Sequence, residues 1–98
     1  GKRIFVFGDM LELGESSITQ HQAIGEKCND SRIDAVLTIG TETIATDGAL
    51  LDIGFHRHFN KKDDLLKSLN EIVKDGDKVL VKGSRGMRME TIVEGMLI

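Results

Sequence analysis

Residues 3–15 read Arg3-Ile4-Phe5-Val6-Phe7-Gly8-Asp9-Met10-Leu11-Glu12-Leu13-Gly14-Glu15, an unbroken apolar run that stops at a glycine and opens into a long loop carrying carboxylates. A half-buried strand alternates apolar and polar residues, whereas Ile4 to Phe7 is apolar at every position. That is the pattern of a strand covered on both faces, the habit of parallel sheets. The same signature recurs at Ala35 to Ile39, closed by Gly40, and at Val79 to Val81, followed by Lys82-Gly83. Phe55 to Phe59, where two phenylalanines flank Arg57 and two histidines, reads as an edge strand.

Helical signals fill the gaps between these runs. Ser17 with Gln20 three residues on has the form of a capping box and opens a helix expected to reach about Asp30. Thr41 is expected to cap a second helix through Ile44, Ala45, Leu50 and Leu51, with Gly48 an unfavourable residue inside it. Asn60 is expected to cap a third, with Leu65, Leu69, Ile72 and Val73 on one face and Gly76 marking its end. Met89, Ile92, Val93, Met96 and Leu97 have helical spacing and predict a fourth. The order β-α-β-α-β-α-β-α makes the fold class α/β, a Rossmann-like three-layer α/β/α domain with a mainly parallel sheet of about four strands.

The chain has 98 residues, enough for one hydrophobic core. Its 40% hydrophobic and 30% charged residues exclude intrinsic disorder. Thirteen Lys and Arg against sixteen Asp and Glu give a net charge of −3, and with no Tyr or Trp the chain lacks the basic, aromatic surface of a nucleic-acid binder. No apolar run approaches the roughly 20 residues that cross a bilayer, and residues 1–7 show neither the long apolar stretch nor the small-residue cleavage site of a signal peptide. A cytoplasmic location and no membrane insertion are expected. The single cysteine, Cys28, excludes an internal disulfide and a multi-cysteine zinc site. Gly1 opens almost directly into a strand, which suggests a piece of something longer.

Ligands of such sheets collect at the carboxyl ends of the strands, which points to the loops after Phe7 and Val81. In the first, Asp9 and Glu12 suit a cationic group or a metal-bound water. Equally, Asp9 and Glu15 suit the positive end of the next helix, with Met10, Leu11 and Leu13 as an apolar plug. No Gly-x-Gly-x-x-Gly is present. In the second, Lys82-Gly83-Ser84-Arg85-Gly86-Met87-Arg88 is expected to run directly into the fourth helix, and three cations there oppose the usual preference of helix starts for acidic residues. Beside open N–H donors they would form a receptor for carboxylate or phosphate. The P-loop pattern is absent, so no triphosphate cradle is expected within the chain. His56 and His58 would share a strand face without a third metal ligand nearby. His21, one turn into the first helix, falls near the Asp9 to Glu15 loop, and Cys28 reads as a small core residue.

These two segments, Gly8-Asp9-Met10-Leu11-Glu12-Leu13-Gly14-Glu15 with His21 and Ile24-Gly25, and Asp77-Lys78-Val79-Leu80-Val81-Lys82-Gly83-Ser84-Arg85 with Met89-Glu90, closely resemble the C-terminal domain of the bacterial Mur ligases. The resemblance implies that residues 1–98 are such a domain, truncated at its N-terminus, because the family's domain begins further upstream with an Asp-Asp-x-Tyr-Asn-Ala-Asn-Pro segment and extra sheet. It selects the strand order 4-1-2-3. It implies an ATP-dependent ligase of peptidoglycan synthesis, in which an acyl phosphate on the UDP-N-acetylmuramoyl-tripeptide is attacked by the amine of D-alanyl-D-alanine. ATP and Mg2+ would be held mainly by a central ATPase domain against which this one packs, leaving the fragment itself without a cofactor and not catalytic. Carried over residue by residue, Lys82, Ser84 and Arg85 would contact the substrate carboxylate, while Asp9, Glu12 and His21 would belong to the loop facing the active cleft. The rival reading is a stand-alone α/β anion-binding or interaction module.

Overall fold

A computed structural model describes residues 1–97. Four strands, β1 (Arg3–Gly8), β2 (Ala35–Ile39), β3 (Phe55–Phe59) and β4 (Lys78–Lys82), alternate with four helices among the described residues, α1 (Ser17–Asn29), α2 (Ile44–Gly48), α3 (Lys62–Ile72) and α4 (Glu90–Glu94). The sheet is parallel throughout, in the order β3-β2-β1-β4, as expected from the sequence. Ile4 lies opposite Ala35 and Val79, and Phe7 opposite Thr38 and Lys82.

The apolar runs of β1 and β2, the second interrupted only by buried Thr38, exist because each strand feeds two cores. Ile4, Val6, Leu37 and Ile39 face α3 and α4, where Leu65, Leu69 and Ile92 are fully buried. Phe5, Phe7 and Val36 point the other way, towards Cys28 of α1 and Leu50 after α2. β4 departs from this pattern. Val79 and Val81 pack on the first core, but Lys78, Leu80 and Lys82 point to an uncovered face and Leu80 is 55% exposed. The third apolar run is therefore an edge strand rather than one covered on both sides, and β3 is the other edge.

The helix starts differ from the local capping signals. Ser17 is not a cap but the first residue of α1. One turn of 3-10 helix at Gly14–Ser16 precedes it, and the Gln20 amide donates to Ser16 Oγ. Thr41 does not cap α2 either, and that helix is only five residues long. Its approach is closed instead by Asp9, at the end of β1. The Asp9 carboxylate accepts the backbone N–H groups of Thr41 (3.0 Å), Glu42 (3.0 Å) and Thr43 (2.9 Å). This close approach requires Gly40, whose φ is +115° and whose missing Cβ would collide with the carboxylate. α3 starts at Lys62 rather than being capped by Asn60 and ends at Ile72, with Gly76 in the turn beyond. α4 is likewise short, and of its apolar set Met89 and Ile92 are buried while Val93 and Leu97 are exposed.

From β1 the chain crosses through α1 to β2 on one side, while β4 lies on the other. The carboxyl ends of β1 and β4 thus flank the point where the strand order reverses, which is where open α/β sheets bind ligands. At the opposite end Asp77 closes the sheet. Its carboxylate accepts the N–H of Lys2 (2.7 Å) and of Lys74 (2.9 Å) and pairs with the Lys2 ammonium (3.0 Å). The backbone N–H of Lys2, then its side chain and the N–H of Lys74, hold the Asp77 carboxyl down at about 2.

Two outcomes follow for stability. Asp9→Ala leaves three backbone donors without their charged acceptor and should destabilise the chain by about 3 kcal/mol in urea titrations, with Asp9→Asn intermediate. Because the Asp77 carboxyl lies below its ordinary 3.8, its contribution is complete above about pH 4 and is lost as pH falls towards 2. The stability difference between wild type and Asp77→Asn should therefore shrink over that interval, and an unchanged difference from pH 5 to pH 2 would exclude this role.

Candidate functional site

Strands β1 and β4 release two loops side by side, and backbone contact brings them together. A Cβ on Gly8 would lie 2.6 Å from Met89 Sδ, and one on Gly83 2.7 Å from Met89 Cγ, so the buried Met89 side chain rests on both glycines. Beyond them the loops are stitched by two hydrogen bonds. Ser84 N donates to Asp9 O (3.0 Å), and Leu11 N donates to Ser84 Oγ (2.7 Å). Ser84 is thereby held through both its backbone and its hydroxyl.

The second loop does not run straight into a helix, as the sequence suggested. Arg85–Met87 forms a turn of 3-10 helix, Arg88 takes a left-handed backbone (φ +51°), and only then does the five-residue α4 begin, with Glu90 in its first turn. A helix this short does not sum to a macrodipole that would gather anions, so the helix-end part of the expected receptor is withdrawn. What remains is side-chain charge. Lys82, Arg85 and Arg88 are exposed, and among the described residues none has a carboxylate within ion-pair distance. Lys82, Ser84, Arg85, Met89, Glu90 and Val93 border an open depression of about 500 Å³. A depression of equal volume lies between β3 and α3, lined by Arg57, Lys67, Asp64 and Glu71. It lies away from the reversal of strand order, so the first is the better candidate.

The first loop separates the expected site residues into two kinds. Glu12 is exposed, in a left-handed backbone conformation (φ +64°). Asp9 is buried and its carboxylate is spent on the loop after β2. His21 is fully buried. Met10 N donates to its Nε2 (3.0 Å), so the ring proton sits on Nδ1, 2.8 Å from Ser17 O and 3.2 Å from Ser17 Oγ. Ser17 Oγ in turn donates to Glu42 Oε1 (2.7 Å). Asp9 and His21 therefore shape the loop from beneath, while Lys82, Arg85 and Glu12 meet the solvent. From the sequence Ser17 reads only as a helix cap, and Glu42 carries no motif. The usable signal was the carboxylate two residues after Gly40, at the carboxyl end of β2.

The other candidates are engaged elsewhere. His56 Nδ1 lies 2.8 Å from Asp47 Oδ1 and His58 Nδ1 2.7 Å from Thr38 Oγ1. No group of three His, Cys, Asp or Glu side chains among the described residues is placed to hold a metal ion. Cys28 is buried, which raises its thiol pKa and favours the inert form. No described helix is long and apolar enough to cross a membrane.

Comparison with known proteins agrees with the fold. The chain is 39% identical over 100 residues to the UDP-N-acetylmuramoyl-tripeptide–D-alanyl-D-alanine ligase of Bacillus subtilis (strain 168), covering 99% of this chain and 22% of that protein. It is 36% identical to the corresponding ligase of Escherichia coli (strain K12), covering 98% of this chain and 21% of that protein. The chain thus spans about a fifth of the length of these relatives. The crystal structure of MurF ligase from Thermotoga maritima in complex with ADP superposes with a TM-score of 0.79 at 33% identity, over 97% of this chain and 21% of that one. MurF from Acinetobacter baumannii gives 0.83 at 28% identity, over 96% and 22%. Residues 1–85 match the family model described as Mur ligase, glutamate ligase domain. With its sheet order, its paired loops and this match in agreement, the chain belongs to the Mur ligase family through that domain.

Proposed function

We propose that this domain serves a cytoplasmic, ATP-dependent ligase that joins D-alanyl-D-alanine to UDP-N-acetylmuramoyl-tripeptide in peptidoglycan synthesis, and that Lys82, Ser84 and Arg85 hold the carboxylate of the incoming dipeptide. The observation that carries this reading is the meeting of the two loops at the reversal of strand order, with Lys82 and Arg85, both exposed and without an ion-pair partner among the described residues, flanking a fixed Ser84 along the chain. The relatives of B. subtilis and E. coli that share the domain are ligases with that dipeptide in their names.

The chemistry suits the geometry. A dipeptide zwitterion has one end that must be bound and one that must react. Two cations and a hydroxyl pin its carboxylate through charge-assisted hydrogen bonds, which leaves the amine projecting from the domain towards an acyl phosphate carried elsewhere. Holding the nucleophile in this way converts a bimolecular encounter into an oriented one. Exposed Glu12 lies on the same rim and faces the cleft in this reading, while Asp9 and His21 set the shape of its loop. The residues here do not suit a triphosphate or Mg2+, since the P-loop pattern is missing and no metal-ligating cluster forms among those described. No step through either is assigned to this chain. ATP and Mg2+ belong, in this proposal, to a central domain that packs against the open side of the depression, as does the UDP-linked tripeptide.

Arg85→Ala in the full-length ligase tests the reading. Loss of one charge-assisted contact, about 1.5 kcal/mol, should raise KM for D-alanyl-D-alanine about tenfold, with KM for ATP changed less than about twofold. An unchanged dipeptide KM beside a raised ATP KM would assign the loop to the nucleotide instead.

A further inference from the structure

We propose that His21 is the positioning residue of this site, setting the binding geometry of Ser84 from inside the fold without reaching any ligand. The inference rests on the reading of the Lys82–Arg85 loop as the dipeptide site. Two consecutive amides of the first loop point in opposite directions. Met10 N donates inward to His21 Nε2 (3.0 Å), and Leu11 N donates outward to Ser84 Oγ (2.7 Å). One peptide unit separates these bonds, so the place of Met10 fixes the place of the Ser84 hydroxyl.

The imidazole itself is held on three sides. Nδ1 bonds Ser17 O (2.8 Å) and approaches Ser17 Oγ (3.2 Å), and the Phe7 ring lies 5.8 Å away, centroid to centroid. Ser17 Oγ donates to Glu42 Oε1, Glu42 N donates to Asp9 Oδ1, and Asp9 O accepts Ser84 N. The bonds therefore form a closed circuit, from Ser84 through Leu11, Met10, His21, Ser17, Glu42 and Asp9 back to Ser84. His21 is the member that spans the gap between α1 and the first loop, and at 0% exposure no bulk water can replace it as the acceptor for Met10.

Two substitutions of similar polarity separate the two nitrogens. His21→Asn reaches only the position of Nδ1 and leaves Met10 N–H unpaired, whereas the longer His21→Gln places an amide oxygen near the position of Nε2. In the full-length ligase, His21→Asn should raise the dipeptide KM about tenfold while kcat and the ATP KM stay within about twofold, and His21→Gln should recover most of the loss. Deuterium uptake in the peptide covering residues 8–16 should quicken in the Asn variant and recover in the Gln variant. Equal behaviour of the two variants in both measurements would overturn the proposal, as would a fall in kcat with the dipeptide KM unmoved. Quickened exchange with every kinetic constant unmoved would keep His21 as the anchor of the loop and overturn the assignment of that loop to the dipeptide.

Discussion

A single carboxylate ties the carboxyl edge of this sheet together. Asp9 leaves β1 and, instead of serving its own helix, turns across to the loop after β2, where its two oxygens take three consecutive N–H groups. An ionised group buried to this degree is stable only if its lone pairs are filled by donors, and the backbone of residues 41–43 supplies them. The same residue's carbonyl accepts from Ser84, so the loops after β1, β2 and β4 share one origin. Ser84, which lies between Lys82 and Arg85 in the chain, is held at its backbone by Asp9 O and at its hydroxyl by Leu11 N.

The layers below are built differently from the rim. Between the helices, Ile4 to Phe7 of β1 and Ala35 to Leu37 of β2 are all apolar and buried, so this part of the sheet's interior is specified by packing. Towards the carboxyl edge the buried set becomes polar, with Ser17, His21, Thr43 and Thr46 all below one-tenth exposure. Thr46 Oγ1 donates to His21 O (2.8 Å), which ties α2 to α1 just beneath the site. Polar groups in a low-dielectric surround accept few geometries, and a surface meant to bind a small charged molecule needs that restriction more than it needs stability.

What could be read from the sequence divides along the same line. Strand positions, their parallel arrangement and the edge character of β3 follow from hydrophobic periodicity, because burial on one face or two leaves a local imprint. The place of Lys82, Ser84 and Arg85 at the carboxyl end of β4 was legible because the last apolar run stops there. The caps were not. Ser17, Thr41 and Asn60 each carry a local signature, yet Ser17 bonds Glu42, Asp9 takes over the role given to Thr41, and α3 begins two residues after Asn60. The circuit through His21 joins residues as distant in the chain as Asp9 and Ser84, and nothing in their immediate neighbours records those bonds. Apolar spacing also overstated α4, since Met96 packs on the core from beyond the helix end rather than within it.

The uncovered face of β4 has a consequence for the chain in solution. An open sheet edge with an exposed Leu80 is a template for pairing with another strand. Here that leucine is bracketed on its own face by Lys78 and Lys82, so a second copy laid along the edge would bring like charges together. This protection is electrostatic and therefore screened by salt. The same ionic strength that leaves the buried bonds of the rim untouched will weaken this barrier to pairing along β4, so salt acts on the edge of the sheet and not on its fold.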